Sequence, residues 1–427
     1  MNVAERISSA LQRFALLHQK EIDLGLGRMN ELLAKAGNPH LSLPPIIHVA
    51  GSNGKGSTIA FVKAMAIAQG LTVHVHTSPH LIRLNERYII AGEEVSDAAL
   101  ADLLEEVEAI NDNAPATEFE LLCLAMFIAF RRTAADLVII EVGLGGELDA
   151  TNVIVKPTLC LITPISIEHT DWLGRDIAGI AKAKAGIIKH QCPVISAAQP
   201  NDVKDVFERI ASRQKSELKF LNEDISCRLE DGRLVWSDET QLLDLPLPAL
   251  QGSWQVQNAG LAIAAAVHFG WTEEAIANGL QQVTWPGRLQ RLSGIKQLPP
   301  DTEVWLDGAH NPHAAIALAE FIRERNRIEP LPLEMILSMQ ATKDLSGFLL
   351  PFKEFNPIIH LVPLLGARAP ITVDELTQRV LHLGYTAKVH HDLNTAFMSV
   401  SKDKTRLLIT GSLYLVGEIL TLRSINS

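Results

Sequence analysis

The most constraining feature of this chain is a glycine-rich loop, Gly51-Ser52-Asn53-Gly54-Lys55-Gly56-Ser57-Thr58, set directly after the apolar run Ile46 to Ala50. The segment that follows, Ser57 to Gln69, reads as a helix. A strand, a tight glycine loop and a helix in that order form the frame in which backbone N–H groups turn inward around an anion. Glycines permit the turn, the helix N-terminus adds a partial positive charge, and Lys55 adds a full one. The match to GxxxxGK[ST] is incomplete: Val49 stands where the first glycine would be, and Gly56 separates Lys55 from Ser57. Ser57 is taken as the hydroxyl on the metal side. The loop demands a sheet behind it, so the fold class is α/β.

Further strands fit that sheet. Leu71 to His76, Asp136 to Glu141 and Thr158 to Thr163 are short apolar runs, the pattern of parallel strands covered on both faces. Helices are expected at Asp97 to Ile110, capped by Ser96, and at Glu118 to Arg132. The stretch from Asn201 to Leu250 reads as short alternating segments with an Asp231-Gly232 turn, which predicts hairpins. After a Pro/Gly-containing connection a second α/β pattern begins. Its expected strands are Glu303 to Leu306, Leu333 to Met339, Ile358 to Val362 and Arg406 to Thr410, with helices between them. Two domains are therefore expected, 1–292 and 293–427, each with a mainly parallel sheet.

Composition excludes several classes. With 38 Lys+Arg against 49 Asp+Glu the formal charge is −11, so no basic face for nucleic acid is indicated. The four cysteines, Cys123, Cys160, Cys192 and Cys227, form no CxxC pair and read as reduced thiols of a cytoplasmic protein. The polar N-terminus lacks a signal-peptide apolar region, and the run Leu121 to Phe130 is too short to span a membrane. A monomer without membrane or nucleic-acid partners is expected.

Other candidate residues sit at predicted strand ends, where α/β sheets bind ligands. Glu141 closes one strand and opens Glu141-Val-Gly-Leu-Gly145-Gly146-Glu-Leu-Asp149-Ala150-Thr-Asn152; its carboxylate suits Mg²⁺. His169, in Ser166-Ile-Glu-His169-Thr-Asp-Trp, follows another strand and is a candidate metal ligand. Asp307 and His310, in Leu306-Asp307-Gly-Ala-His310-Asn311-Pro312, lie at a strand-to-helix junction in the second part. Arg288 in the connecting stretch is long enough to reach a phosphate.

Assembled, these segments resemble the folylpolyglutamate synthase/dihydrofolate synthase family of Mur-ligase-like, ATP-dependent amide ligases. The matching pieces are GSNGKGST, TSPHLIRLNER (77–87), EVGLGGELDATN (141–152), EHTDWLG (168–174), KAGI (184–187), PGR (286–288), LDGAHNPHA (306–314) and TGSLYLVGE (410–418), in family order. The resemblance implies a P-loop ATPase domain followed by a smaller Rossmann-like domain, with the active site between them. It implies that ATP activates a carboxylate, of dihydropteroate or of a reduced folate's glutamate tail, as an acyl phosphate that L-glutamate then attacks.

The resemblance also implies site roles. Gly51, Asn53, Gly54, Lys55, Gly56, Ser57 and Thr58 would hold the ATP phosphates, and Asn258 the adenine. Ser78 and Glu141 would bind one Mg²⁺, and His169 and Lys184 a second, with Lys184 carbamylated so that it offers an anionic oxygen. Arg288 and His310 would approach the γ-phosphate and Asp307 the nucleotide side. Thr117, Phe119, Asp149, Ala150 and Arg83 would serve the pterin-bearing substrate, and the first three favour acceptance of dihydropteroate as well as folates.

Two departures stand out. Glu147 occupies a place where many relatives carry Arg, and the segment Ser338 to Asp344, with Lys343, matches only loosely. Two other readings remain open: folylpolyglutamate synthase activity alone, or a cell-wall Mur-type ligase. The latter would place a nucleotide-sugar-binding domain ahead of the loop, for which the 50 residues before Gly51 are too few.

Overall fold

The structure is a computed structural model that describes residues 1–20, 22–366 and 371–426. It divides into two compact units: Met1–Ala249 with Val256–Val283, and Leu250–Gln255 with Thr284–Ser427.

The first unit is built on eight strands: β1 (Ile46–Ala50), β2 (Val73–His76), β3 (Tyr88–Ile90), β4 (Glu93–Glu94), β5 (Leu137–Glu141), β6 (Leu159–Ile162), β7 (Val194–Ser196) and β8 (Leu218–Phe220). Their order is β4-β3-β2-β5-β1-β6-β7-β8, parallel except for the β2-β3-β4 edge. The central strand β1 pairs Val49 with Glu141 on one side and Leu161 on the other. All five residues of β1 are buried, as a strand covered on both faces requires. The helices are α1 (Val3–Leu16), α2 (Gly27–Lys35), α3 (Lys55–Ala68), α4 (Asp97–Asn111), α5 (Glu118–Arg132), α6 (Thr170–Leu173), α7 (Ile177–Ala185) and α8 (Asn201–Gln214).

One side of the sheet carries a core of Phe14, Leu33, Tyr88, Leu104, Phe127 and Phe130. The far end carries another, built on Ile162, Ile180, Ile187, Val203 and Phe207. The helix α3 is lined along most of its length by buried residues, and α10 (Glu273–Gln282), which follows α9 (Ser253–His268), presses against it. The approach requires Gly279: a Cβ there would lie 2.5 Å from Met65 Cγ.

The 201–250 region differs in part from the hairpins expected of it. Its first third is the amphipathic helix α8, which buries Val203, Val206, Phe207 and Ala211 at helical spacing. After β8, which joins the large sheet, the stretch forms a three-stranded antiparallel sheet, β9 (Ser226–Glu230), β10 (Arg233–Ser237) and β11 (Leu242–Leu245). Its first turn is at Asp231-Gly232, where both φ angles are positive, 49° and 77°, as a two-residue hairpin turn needs.

The second unit contains β12 (Gln290–Leu292), β13 (Glu303–Leu306), β14 (Leu333–Leu337), β15 (Ile358–Leu361), β16 (Thr386–Val389) and β17 (Arg406–Thr410). The order is β12-β13-β17-β14-β15-β16, parallel apart from the antiparallel edge strand β12. That pairing puts residues 290–292 with the second unit, so the compact division falls at Val283/Thr284 rather than at the 292/293 position expected from composition. The helices α11 (Pro312–Ile328), α12 (Leu345–Leu349), α13 (Val373–His382), α14 (Leu393–Ser399) and α15 (Leu413–Asn426) complete the unit. Among the described residues no helix is long and apolar enough to cross a membrane.

Candidate active site

The glycine loop runs from the end of β1 into α3, with Gly54 as the N-cap. Two of its glycines are required. Gly51 has φ 141°, and a Cβ there would lie 1.9 Å from Thr163 Oγ1; Gly54 has φ 93°, and its Cβ would lie 2.3 Å from Asn258 Oδ1. Only a residue without a side chain meets both conditions. The segment after β6 braces the loop. Ser52 N donates to Pro164 O at 3.0 Å, Ser52 Oγ to Ser166 O at 3.0 Å, and Asn53 Nδ2 to Ser166 Oγ at 3.2 Å. Ser57 and Thr58 are buried in the first turn of α3, and Thr58 Oγ1 has no hydrogen-bond partner among the described residues. A buried hydroxyl left unsatisfied beside an anion-type loop fits a site that a ligand completes.

Two lysines meet at this loop. Lys55 Nζ donates to Gly51 O at 3.1 Å, and Lys184 Nζ, from α7, donates to the same oxygen at 2.9 Å. Lys184 is 2% exposed. Each has a carboxylate beside it. Glu141 Oε1 is 3.9 Å from Lys55, and Glu168 Oε1 is 2.8 Å from Lys184. Burial and the neighbouring Lys55 charge push the Lys184 ammonium below its ordinary pKa, against the pull of Glu168. Burial alone would raise Glu168, but the charges of Lys184 and Lys55 outweigh it and hold the carboxyl at about 2.

The other expected metal residues join this group to different degrees. Ser78 N donates to Glu141 Oε2 at 3.1 Å, so the Ser78 segment is in place beside the carboxylate. His169, with φ 50° at the start of α6, places Nε2 3.9 Å from Glu168 Oε2. Among the described residues, no three His, Cys, Asp or Glu side chains form a ready-made cage. Glu168 is the residue to which the sequence reading gave no role, although it opens the matching segment EHTDWLG beside His169.

Of the residues expected to serve the pterin-bearing substrate, Asp149 and Ala150 lie on the segment after β5, and Thr117 and Phe119 lie at the start of α5. Phe119 of α5 packs so closely over Gly143 that a Cβ there would lie 2.4 Å from its ring. Thr117 caps α5: its Oγ1 accepts from Glu120 N at 3.2 Å and donates to Glu120 Oε2 at 2.9 Å. Asp149 is buried, with Oδ2 accepting from Leu144 N at 2.8 Å and Oδ1 accepting from Thr151 N at 2.9 Å. Burial raises its pKa, opposed by these donors. Ala150 opens the buried turn Ala150–Val153. Arg83 stands apart from these residues: it is half exposed and ion-paired to Glu94 and Asp97.

In the second unit, Asp307 ties two segments together. Its Oδ2 accepts from Leu289 N and its Oδ1 from Ala309 N, each at 2.8 Å. Burial raises the Asp307 pKa, against the Arg288 charge and these donors. Arg288 Nη1 donates to Gly287 O at 3.2 Å and is 3.0 Å from where a Gly308 Cβ would be. His310 Nδ1 donates to Gly308 O at 3.1 Å; a carbonyl can only accept, so Nδ1 carries the proton. Asn311 caps α11 by accepting from Ala314 N at 2.9 Å. Asp307 thus orients the backbone that presents Arg288 and His310.

A family model for the Mur ligase middle domain matches residues 49–266, and one for the dihydrofolate synthetase C-terminal domain matches residues 290–422. The dihydrofolate synthase/folylpolyglutamate synthase of Bacillus subtilis (strain 168) is 32% identical over 415 residues, covering 92% of this chain and 94% of its own. The structure of E. coli FolC in complex with DHPP and ADP superimposes with a TM-score of 0.89 at 32% identity, covering 100% of this chain and 99% of that one. A bifunctional folylpolyglutamate synthase/dihydrofolate synthase from Yersinia pestis, complexed with AMPPNP and a Mn ion, gives a TM-score of 0.86 at 29% identity, with 98% of each chain covered.

Proposed function

This chain belongs to the dihydrofolate synthase/folylpolyglutamate synthase family, and on that premise we propose that it uses ATP to join L-glutamate to dihydropteroate and to the glutamate tails of tetrahydrofolate. The observation that carries the proposal is the convergence of Lys55 and Lys184 on Gly51 O, with Glu141 and Glu168 beside them. A carboxylate is a poor electrophile, so the reaction first moves the terminal phosphoryl of ATP onto it. The glutamate amine then attacks the acyl carbon of the mixed anhydride. The C–N bond forms, the C–O bond to phosphate breaks, and the amine's proton is released.

The residue roles are those the family resemblance implies, and charge and position support them. The N–H groups of the loop from Gly51 to Thr58 and the Lys55 ammonium bind phosphate oxygens as charge shifts between them. Asn258, which lies against Gly54, is assigned to the adenine. Ser78 and Glu141 would hold one divalent cation, and His169 with Lys184 a second. Such ions, when bound, neutralise phosphate oxygens. The lowered Lys184 pKa favours the neutral amine, the form that adds CO₂ to become a carbamate and releases a proton. A carbamate beside Glu168 puts two anions together, which suits a divalent cation between hard oxygen ligands. Arg288 and His310 are assigned to the transferred phosphoryl, and Asp307 holds the backbone that carries them. Thr117, Phe119, Asp149 and Ala150 are assigned to the acceptor; Arg83, exposed and paired to Glu94 and Asp97, is not.

The test is phosphate release from ATP and Mg²⁺, with L-glutamate and either dihydropteroate or tetrahydrofolate. Glutamate-dependent release with both acceptors is expected. Release with tetrahydrofolate alone would remove the dihydropteroate reaction, and release with neither would overturn the proposal.

A further inference from the structure

Asp149 does not stand alone. Thr151 Oγ1 lies 2.6 Å from Asp149 Oδ1, and His48 Nε2 lies 3.0 Å from the same Thr151 hydroxyl. All three side chains are buried: His48 and Thr151 are 0% exposed and Asp149 2%. The direction of each bond follows from valence. A hydroxyl has one proton, and Thr151 gives it to the carboxylate, so His48 must donate through Nε2. That leaves His48 Nδ1 as a bare acceptor, and it has no partner among the described residues. Burial, with the Lys189 charge adding to it, pushes the His48 pKa down to about 3, which keeps the ring neutral; the Thr151 geometry places its one proton on Nε2.

The relay links two segments far apart in sequence. His48 lies in the middle of β1, three residues before the phosphate-type loop, and Thr151 lies in the turn Ala150–Val153 that follows Asp149. At the other end of the carboxylate, Asp149 Oδ2 holds Leu144 N, next to the Gly143 on which Phe119 packs. A buried, partly unsatisfied histidine costs stability, and nothing in the packing of an apolar central strand calls for one. Its one visible use is to hold the Thr151 hydroxyl in a single orientation.

We propose that His48 and Thr151 are positioning residues for the pteroate-class acceptor: the His48–Thr151–Asp149 relay sets the Asp149 carboxylate and, through it, the Gly143-Leu144 turn. This rests on the reading above that Asp149 and its neighbours bind the acceptor.

The experiment measures KM for dihydropteroate and for ATP separately in Thr151→Val, Thr151→Ser, His48→Leu and the Thr151→Val/His48→Leu double variant. Losing a hydrogen bond to a charged carboxylate is expected to raise the dihydropteroate KM about tenfold or more in Thr151→Val. The ATP KM should stay within about twofold, because ATP does not depend on the relay. Thr151→Ser, which keeps the hydroxyl, should restore the acceptor KM. The double variant should be no worse than Thr151→Val, since both substitutions break one chain.

An unchanged acceptor KM in Thr151→Val overturns the relay. So do acceptor and ATP KM values rising together, or additive losses in the double variant. If Thr151→Val does not fold, His48→Leu reads the relay from its other end and must give the same split between the two KM values. The unsubstituted chain is the control. If it shows no glutamate-dependent phosphate release with dihydropteroate, the functional reading itself fails; if it does and Thr151→Val is unmoved, only the relay fails.

Discussion

The two units bury charge in opposite ways. In the second unit, Arg406 is fully buried and spreads its donors over several acceptors: Glu303 Oε2 at 2.7 and 2.8 Å, Asn326 Oδ1, and Glu329 O at 3.2 Å. The other oxygen of Glu303 takes Arg325 at 2.9 Å and Trp305 Nε1 at 3.0 Å. In the first unit, two lysines crowd onto one carbonyl, Gly51 O, with the carboxylates beyond them. The first arrangement pairs the buried charges at a single strand end; the second leaves like charges side by side and a lysine pushed toward its neutral form. A saturated buried network holds a fold together, whereas a crowded cluster of like charges with a perturbed lysine is the arrangement typical of ligand-binding sites.

This contrast is open to attack in order of expected effect. Lys184→Ala should lower kcat for glutamate-dependent phosphate release by about 1,000-fold, the scale of losing a charge-stabilising group at a phosphoryl-transfer site. Small carboxylates that enter the space should restore part of it; full activity without the lysine would make the crowded cluster merely structural. Arg406→Met should instead leave kcat unchanged and cost about 3 kcal/mol in urea unfolding, since it strands part of a buried carboxylate. The double variant Arg406→Met/Glu303→Leu should recover most of that loss. A fall in kcat at full stability would erase the distinction between the two networks.

The smallest effect is in acid. Glu168 is held at about 2 in the folded chain against an ordinary 4.5. A carboxylate whose folded pKa is depressed contributes stability that is fully present above its unfolded value and is lost as pH falls through the folded one. Thermal stability should therefore drop between about pH 4.5 and 2, and Glu168→Gln should flatten that part of the profile. An identical profile in the variant would mean that Lys184 does not hold Glu168 ionised.

Much of this site was legible in the sequence, and the limits are physical. Gly51 and Gly54 announce themselves because only glycine tolerates their backbone angles and neighbours. Glu141 is legible because a carboxylate at the tip of an apolar strand has few structural reasons to be there. Glu168 was not, because its significance depends on a lysine sixteen residues on that only tertiary folding brings within 2.8 Å. Asp307 shows a related limit: its position was legible, but not that both its oxygens are occupied by backbone N–H groups. In the fold, α8 was overlooked although Val203, Val206, Phe207 and Ala211 carry a helical period, because the alternating strands after it set the reading of the whole stretch. The edge strand β16 has three of its four residues outside any burial pattern that would reveal it, since a solvated edge needs no apolar alternation.

The glycine contact between α10 and α3 bears on the thermodynamics of ligand capture. With Gly279 against Met65, the helix behind the phosphate-type loop packs closely against a neighbouring helix and buries most of its length, Ser57 and Thr58 of its first turn included. A loop anchored to such a helix is already ordered before anything arrives, so little chain entropy is left to lose on association. Calorimetric titration of ATP should then show a small heat-capacity change, the signature of surfaces meeting without coupled folding.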